Sequence, residues 1–311
     1  MAEITAALVK ELRERTQAGM SDCKNALVEA GGDIDKAVEV ILKKGIVKAA
    51  SRAGKIAAEG EVRTWVDGAG KKGVIVEVNC QTDFVARGDE FRGFVTNVVT
   101  SASTLKKGAD LLAQPYAGGA DTIDVARQQM VAKTGENTVI RRWDVLEAAN
   151  DASFVHAYIH MGGKLAVLIA VEAPNAAAKT DADLRAFVDN CAMQIAAMNP
   201  MVVTKEQVPA AQIEKQKEIF AAQLKEEGKP EAAWPKIIEG KVAKWFTEIT
   251  LLGQDNVWAP GEGTIDKLRA DLGKKLGGDV KIHAFLRFGL GEGIEKATDD
   301  LAAEVAKLTG G

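Results

Sequence analysis

Apolar positions recur along this chain with two different periods, and the switches between them mark out its elements. The first 45 or so residues keep a helical period. Thr5 is placed to cap a helix carrying Leu8, Val9 and Leu12 on one face. Ser21 or Asp22 is placed to cap a second, with Cys23, Ala26, Leu27 and Ala30 at helical spacing, and Gly31-Gly32 stops it. Asp33 opens a third, whose Ile34, Ala37, Val38, Ile41 and Leu42 recur at one helical face. Gly45 stands where a left-handed C-terminal cap belongs. A three-helix module of this size has a core too small to be more than marginal alone.

The period then changes. Residues 47–60 are rich in alanine, lysine and glycine and read as a linker. Residues 61–66 alternate, and 73–78 (Gly-Val-Ile-Val-Glu-Val) form an apolar run of the kind found in strands covered on both faces. A helix is expected over 89–101, a second apolar strand over 165–171 and a second helix over 181–198. These two strand–helix units look like copies. Shifted by 93 positions, Val74–Asn79 lies over Val167–Glu172, and Arg92, Phe94, Val95 and Asn97 meet the identical residues Arg185, Phe187, Val188 and Asn190. Further on, residues 210–227 and the stretch carrying Trp234, Ile237, Ile238, Val242 and Trp245 read as two helices joined at Gly228-Lys229-Pro230, an antiparallel helical hairpin. A loop over 253–263, a helix over 264–276, a strand over 281–290 and a terminal helix over 294–308 complete the pattern.

Composition narrows the chemistry. Across 311 residues the net charge is −4, with acids and bases interleaved and no basic stripe, so direct nucleic-acid binding is disfavoured. No signal-like N-terminus and no apolar run of about 20 residues is visible, which points to a cytoplasmic protein without a membrane span. The cysteines Cys23, Cys80 and Cys191 are too scattered for a disulfide framework or a zinc knuckle. There is no Gly-Lys-Ser/Thr phosphate loop, and Gly289-Leu-Gly-Glu-Gly293 has the wrong spacing for a dinucleotide fingerprint, so it reads as a turn. No cofactor is expected. Cys80 has no base or oxyanion donor beside it in sequence and reads as a small buried residue ending a strand. His156 and His160 have helical metal-ligand spacing, yet they run into a strand pattern.

The informative segment is Asn79-Cys-Gln-Thr-Asp-Phe-Val85, a strand-to-helix connection bearing apolar bulk. A loop phenylalanine usually folds into its own core. Under the 93-residue shift, however, Thr82–Val85 falls on Asn175-Ala-Ala-Ala178, so the second copy makes the same connection without one. Phe84 is therefore expected to face a partner.

Five segments carry longer signatures: Leu12-Arg-Glu-Arg-Thr-Gln-Ala-Gly-Met-Ser-Asp-Cys-Lys-Asn-Ala-Leu27, Gly32-Asp-Ile-Asp-Lys-Ala37, Glu77-Val-Asn-Cys-Gln-Thr-Asp-Phe-Val-Ala86, Tyr158-Ile-His-Met-Gly-Gly163 and Arg287-Phe-Gly-Leu-Gly-Glu-Gly-Ile294. In these, in that order, the chain resembles the bacterial-type elongation factor Ts family. The resemblance implies an α+β fold: a UBA-like three-helix module (1–46), the linker (47–60), and a first core subdomain (61–145). A related second subdomain follows in two parts (146–208 and 249–290), interrupted by an inserted coiled-coil hairpin (209–248), and a C-terminal helical module (291–311) ends the chain. It implies a guanine-nucleotide exchange factor acting on elongation factor Tu, not an enzyme in its own right. Thr82, Asp83, Phe84 and Val85 match the motif that dislocates the partner's Mg²⁺, with Phe84 the intruding side chain. Lys10, Arg13, Met20, His160, Gly162 and Gly163 match partner-binding positions, and the hairpin and C-terminal helix match further contact surfaces. The family often has two adjacent methionines where this chain has Met20-Ser21. Set against this reading are a cysteine-dependent enzyme built on Cys80 and a structural or chaperone-like adaptor that binds helical partners through the three-helix module.

Overall fold

The computed structural model describes residues 4–16 and 18–295. Three helices come first: α1 (Ala6–Thr16), α2 (Met20–Glu29) and α3 (Ile34–Arg52). Leu12, Cys23, Ala26, Leu27 and Ala37 are sealed between them. Asp33 caps α3, its carboxylate accepting from Lys36 N at 3.1 Å. Neither Ser21 nor Asp22 caps α2. Gly19 holds that position, and Asp22 sits in the first helical turn, where its charge favours the positive end of the helix.

Gly45 does not end α3, which runs on to Arg52, so the first part of the expected linker is helix and only residues 53–58 connect α3 to the first strand. The reason is tertiary. α3 packs along a later helix, α6 (Ile123–Thr134), which holds it helical past the glycine. A Cβ on Gly45 would meet Ala132 Cβ at an ordinary contact distance of 3.7 Å, so the position has no steric need of glycine.

Two three-stranded antiparallel sheets form the body. The first is β1 (Glu59–Val66), β2 (Lys72–Cys80) and β3 (Val139–Glu147); the second is β4 (Ser153–His160), β5 (Leu165–Glu172) and β6 (Lys281–Gly289), with β2 and β5 central. Their apolar runs follow from burial on both faces. Val74, Val76, Val78 and Cys80 face α5 (Asp89–Ser103) and α6, as Val167, Ile169 and Val171 face α7 (Ala182–Met198) and α10 (Ile265–Leu276). The opposite faces meet each other through Val62, Ile75, Val155, Ala166, Leu168 and Ala170. The layers therefore run helix, sheet, sheet, helix. A Cβ on Gly73 would lie 2.7 Å from Val155 Cγ1, which shows how near the sheets approach.

The geometry also repeats. The ladder slips between Glu77 and Val78 in β2 and between Ala170 and Val171 in β5, positions that the 93-residue shift superposes. Each central strand leads into a short helical turn before the long helix: α4 (Asp83–Arg87) in one copy, a 3₁₀ turn at Ala177–Thr180 in the other. Between α7 and α10, α8 (Ala210–Glu226) and α9 (Trp234–Ile249) pack on each other and bury Leu224 and Val242. The expected terminal helix over 294–308 lies outside the described residues, apart from its first two positions.

Candidate functional site

Phe84 is 84% exposed, the most exposed large apolar side chain among the described residues. It does not fold back, because α4 is a single helical turn that buries only Ala86. Thr82 caps that turn, its hydroxyl oxygen accepting from Val85 N at 3.4 Å. Asp83 pairs with Arg87 at 2.9 Å along the turn. Cys80 donates its thiol proton to Thr82 O at 3.2 Å, tying the end of β2 to the loop. Val85 is half-buried against the core under α5. The loop is thus held from below while its phenyl ring points away from the protein.

Cys80 is fully buried at the end of β2. Burial, with the negative charges of Glu136 and Glu59, pushes its thiol up to about 12. A nucleophilic thiol needs the opposite environment. Cys23 and Cys191 are also buried, and burial raises both. His156 and His160 both lie on β4, where four residues span about 13 Å, too far to share an ion. His156 instead sits 3.1 Å from Asp189, and His160 Nδ1 meets the Tyr158 hydroxyl at 2.9 Å. Among the described residues no cluster of His, Cys, Asp and Glu could hold a metal, and no helix is long and apolar enough to cross a membrane.

His160 and Gly162 are exposed on the β4–β5 turn, beside Met161, which is 74% exposed. Gly163 is buried. Its φ of 96° and its approach to β1, where a Cβ would lie 2.5 Å from Glu61 Cγ, leave room for glycine alone. It shapes the turn from within. That turn sits beside the start of β1: Val62 N donates to Gly163 O at 2.8 Å, and Lys164 pairs with Glu59 at 2.8 Å. Glu59 is in register with Cys80. The Phe84 loop and the His160 turn therefore share one end of the two-sheet body.

Lys10 and Arg13 are exposed on α1, and Met20 is 54% exposed at the start of α2. Lys10 pairs with Glu14 at 3.8 Å. The α1–α2 turn rests against α6, with Thr16, Ala18 and Asp22 lining a cleft shared with Ala132 and Lys133. Two residues that sequence reasoning missed, Glu136 and Asn137, bond to the Gln81–Thr82 segment from 54 to 56 positions away. Nothing in their local pattern signals that.

A family model described as "Elongation factor TS" matches residues 81–292. Elongation factor Ts of Nautilia profundicola is 44% identical over 308 residues, covering 98% of this chain and 99% of that protein. The Clostridium perfringens protein of the same name is 42% identical over 312 residues, with 99% of each covered. That of Symbiobacterium thermophilum is 43% identical over 310, covering 100% of this chain and 99% of the other. With an exposed aromatic on a braced loop and this extent of likeness along nearly its whole length, the chain belongs to the elongation factor Ts family.

Proposed function

We propose that this chain is the guanine-nucleotide exchange factor of elongation factor Tu, releasing GDP during translation elongation by disturbing the Mg²⁺ end of the partner's nucleotide site. The observation that carries this is the outward ring of Phe84 on a loop anchored at Thr82 and Cys80. A protein that binds the empty GTPase more tightly than the loaded one weakens nucleotide affinity by the same factor, because linkage is reciprocal. Mg²⁺ demands near-ideal octahedral geometry, so a wedge that shifts its coordinating loops is effective. Burying one phenylalanine supplies about 1.5–3 kcal/mol, roughly tenfold to a hundredfold in affinity. That is too little alone.

The remainder comes from other contacts. Lys10, Arg13 and Met20 grip from a UBA-like three-helix module, and His160 with the turn set by Gly162 and Gly163 grips from the second subdomain. α8 and α9 form an inserted coiled-coil hairpin over 209–248 that offers a further surface. In this reading the chain catalyses no bond change of its own and works in the cytoplasm.

The test is release of labelled GDP from elongation factor Tu with and without the full chain. The chain accelerates release, and Phe84→Ala slows it by about tenfold or more while leaving thermal stability unchanged, since the ring makes little contact with its own protein. An unaltered release rate in Phe84→Ala would refute the wedge.

A further inference from the structure

The loop that presents Phe84 is held by residues far from it in sequence. α6 ends at Gly135, whose left-handed conformation (φ 72°) turns the chain back toward β3. The next two residues make the contacts. Glu136 Oε2 accepts from Gln81 N at 3.1 Å and Thr82 N at 3.0 Å, and its Oε1 accepts from the Thr82 hydroxyl at 2.6 Å. Because the Thr82 hydroxyl donates to Glu136, its oxygen is oriented to receive Val85 N and cap α4. Asn137, 3% exposed, faces two ways. Its backbone N donates to Gln81 Oε1 at 2.9 Å, and its side-chain Nδ2 donates to Lys55 O at 2.8 Å and Ala53 O at 3.4 Å. Ala53 and Lys55 directly follow α3. One corner of the chain, residues 135–137, therefore grips both the Phe84 loop and the exit of the three-helix unit.

Resting on the exchange-factor reading, we infer that Glu136 is a positioning residue for nucleotide release: with Asn137 it fixes the Phe84 loop in place relative to the three helices, so that both engage one partner together. Hydrogen bonds to a carboxylate are the strong kind, and here three donors converge on one. Without them the Gln81 and Thr82 amides turn to water, and the ring samples positions that miss the partner's pocket. Activity then scales with the fraction of molecules whose loop is competent. Docking through the three helices and the His160 turn is untouched, so the defect falls on the maximal release rate and not on the concentration needed to half-saturate it.

The experiment titrates full-length wild type, Glu136→Gln, Glu136→Ala, Phe84→Ala and the Phe84→Ala/Glu136→Ala double variant against elongation factor Tu loaded with labelled GDP. Glu136→Ala is expected to lower the maximal rate by about tenfold, with the half-saturating concentration changing less than about threefold. Glu136→Gln, which keeps one acceptor oxygen, falls between it and wild type. The double variant is no slower than Phe84→Ala, since Glu136 acts through the ring. Amide hydrogen exchange rises at Gln81 and Thr82 in Glu136→Ala while β5 stays protected. A wild-type rate in Glu136→Ala alongside a slow Phe84→Ala overturns the inference, and so do multiplicative losses in the double variant or β5 exchange that rises as much as the loop's. A full rate in Phe84→Ala removes the parent reading itself, a distinguishable result.

Discussion

Among the described residues, Glu77 is the one acidic side chain with no exposure, and its removal makes a quantitative forecast. Its carboxylate accepts five hydrogen bonds: from Arg141 Nη1 at 3.1 and 3.2 Å, Arg142 Nε at 2.5 Å, Asn79 Nδ2 at 3.1 Å and Gly291 N at 2.8 Å. Glu77→Ala is compatible with the backbone, because the second sheet has Ala170 at the position superposed on it. Taking one member from a buried ionic cluster costs about 3–5 kcal/mol when the remaining charges stay uncompensated. Here Arg141 and Arg142 keep 27% and 32% side-chain exposure and can turn partly to water, which lowers the figure. Against that, Gly291 N and Asn79 Nδ2 lose an acceptor, at about 1–3 kcal/mol for each donor left buried and unpaired. The balance is about 3 kcal/mol, a large share of the 5–15 kcal/mol typical of folded domains. Urea unfolding of the full chain followed by circular dichroism measures it, as a lower midpoint at unchanged slope. Glu77→Gln, which keeps an acceptor and the shape, loses about half as much. A loss below about 1 kcal/mol for Glu77→Ala would refute the reasoning, since the cluster would then be dispensable.

Two further outcomes follow from the titrating groups. With the Cys80 thiol pushed up to about 12, roughly one molecule in ten thousand carries the thiolate near pH 8, so iodoacetamide should leave Cys80 unmodified in the native chain and label it only after denaturation; prompt native labelling with loss of exchange activity would revive a thiol-dependent mechanism. The Glu172 carboxyl is held below its ordinary 4.5, first by the hydrogen bond with His283 at 2.8 Å, then by Asn150 and the nearby Lys281. A depressed carboxylate contributes stability that is present above the unfolded-state value and lost as pH falls through the folded one. Acid unfolding should therefore steepen below about pH 4.5, and Glu172→Gln should flatten that part of the curve; an identical acid limb in the variant would disprove the assignment.

Elements were legible in sequence where one rule governed them. β2 and β5 read clearly because both their faces are buried, and α5 and α7 because each presents one apolar face to a sheet. α4 is a single turn, too short to show a period. α6 hides its signal, since α3 covers one side of it while Ile123, Ala126 and Met130 enter the core on another. β3 is broken by Arg141, Arg142 and Asp144, whose charges answer Glu77, Lys107 and the C-terminal turn. Gly45 misleads for a related reason: packing on α6 carries α3 past a residue that ends helices in isolation. At the candidate site, Phe84 could be singled out from its missing counterpart in the second copy. Glu136 could not, because its role exists only once a left-handed glycine folds it back onto a loop 54 residues earlier.

The seam between the two sheets carries small side chains, with Ala166 and Ala170 fully or nearly closed off and Gly73 pressed against Val155. Surfaces packed this closely resist one half sliding over the other. The span between the projecting phenyl ring and the turn at His160 is thus set by how the sheets pack, like the jaws of a gauge. Whatever seats itself against both has to match that opening in a single fit, and a partner whose two contact points drift apart would lose its hold at one end before the other.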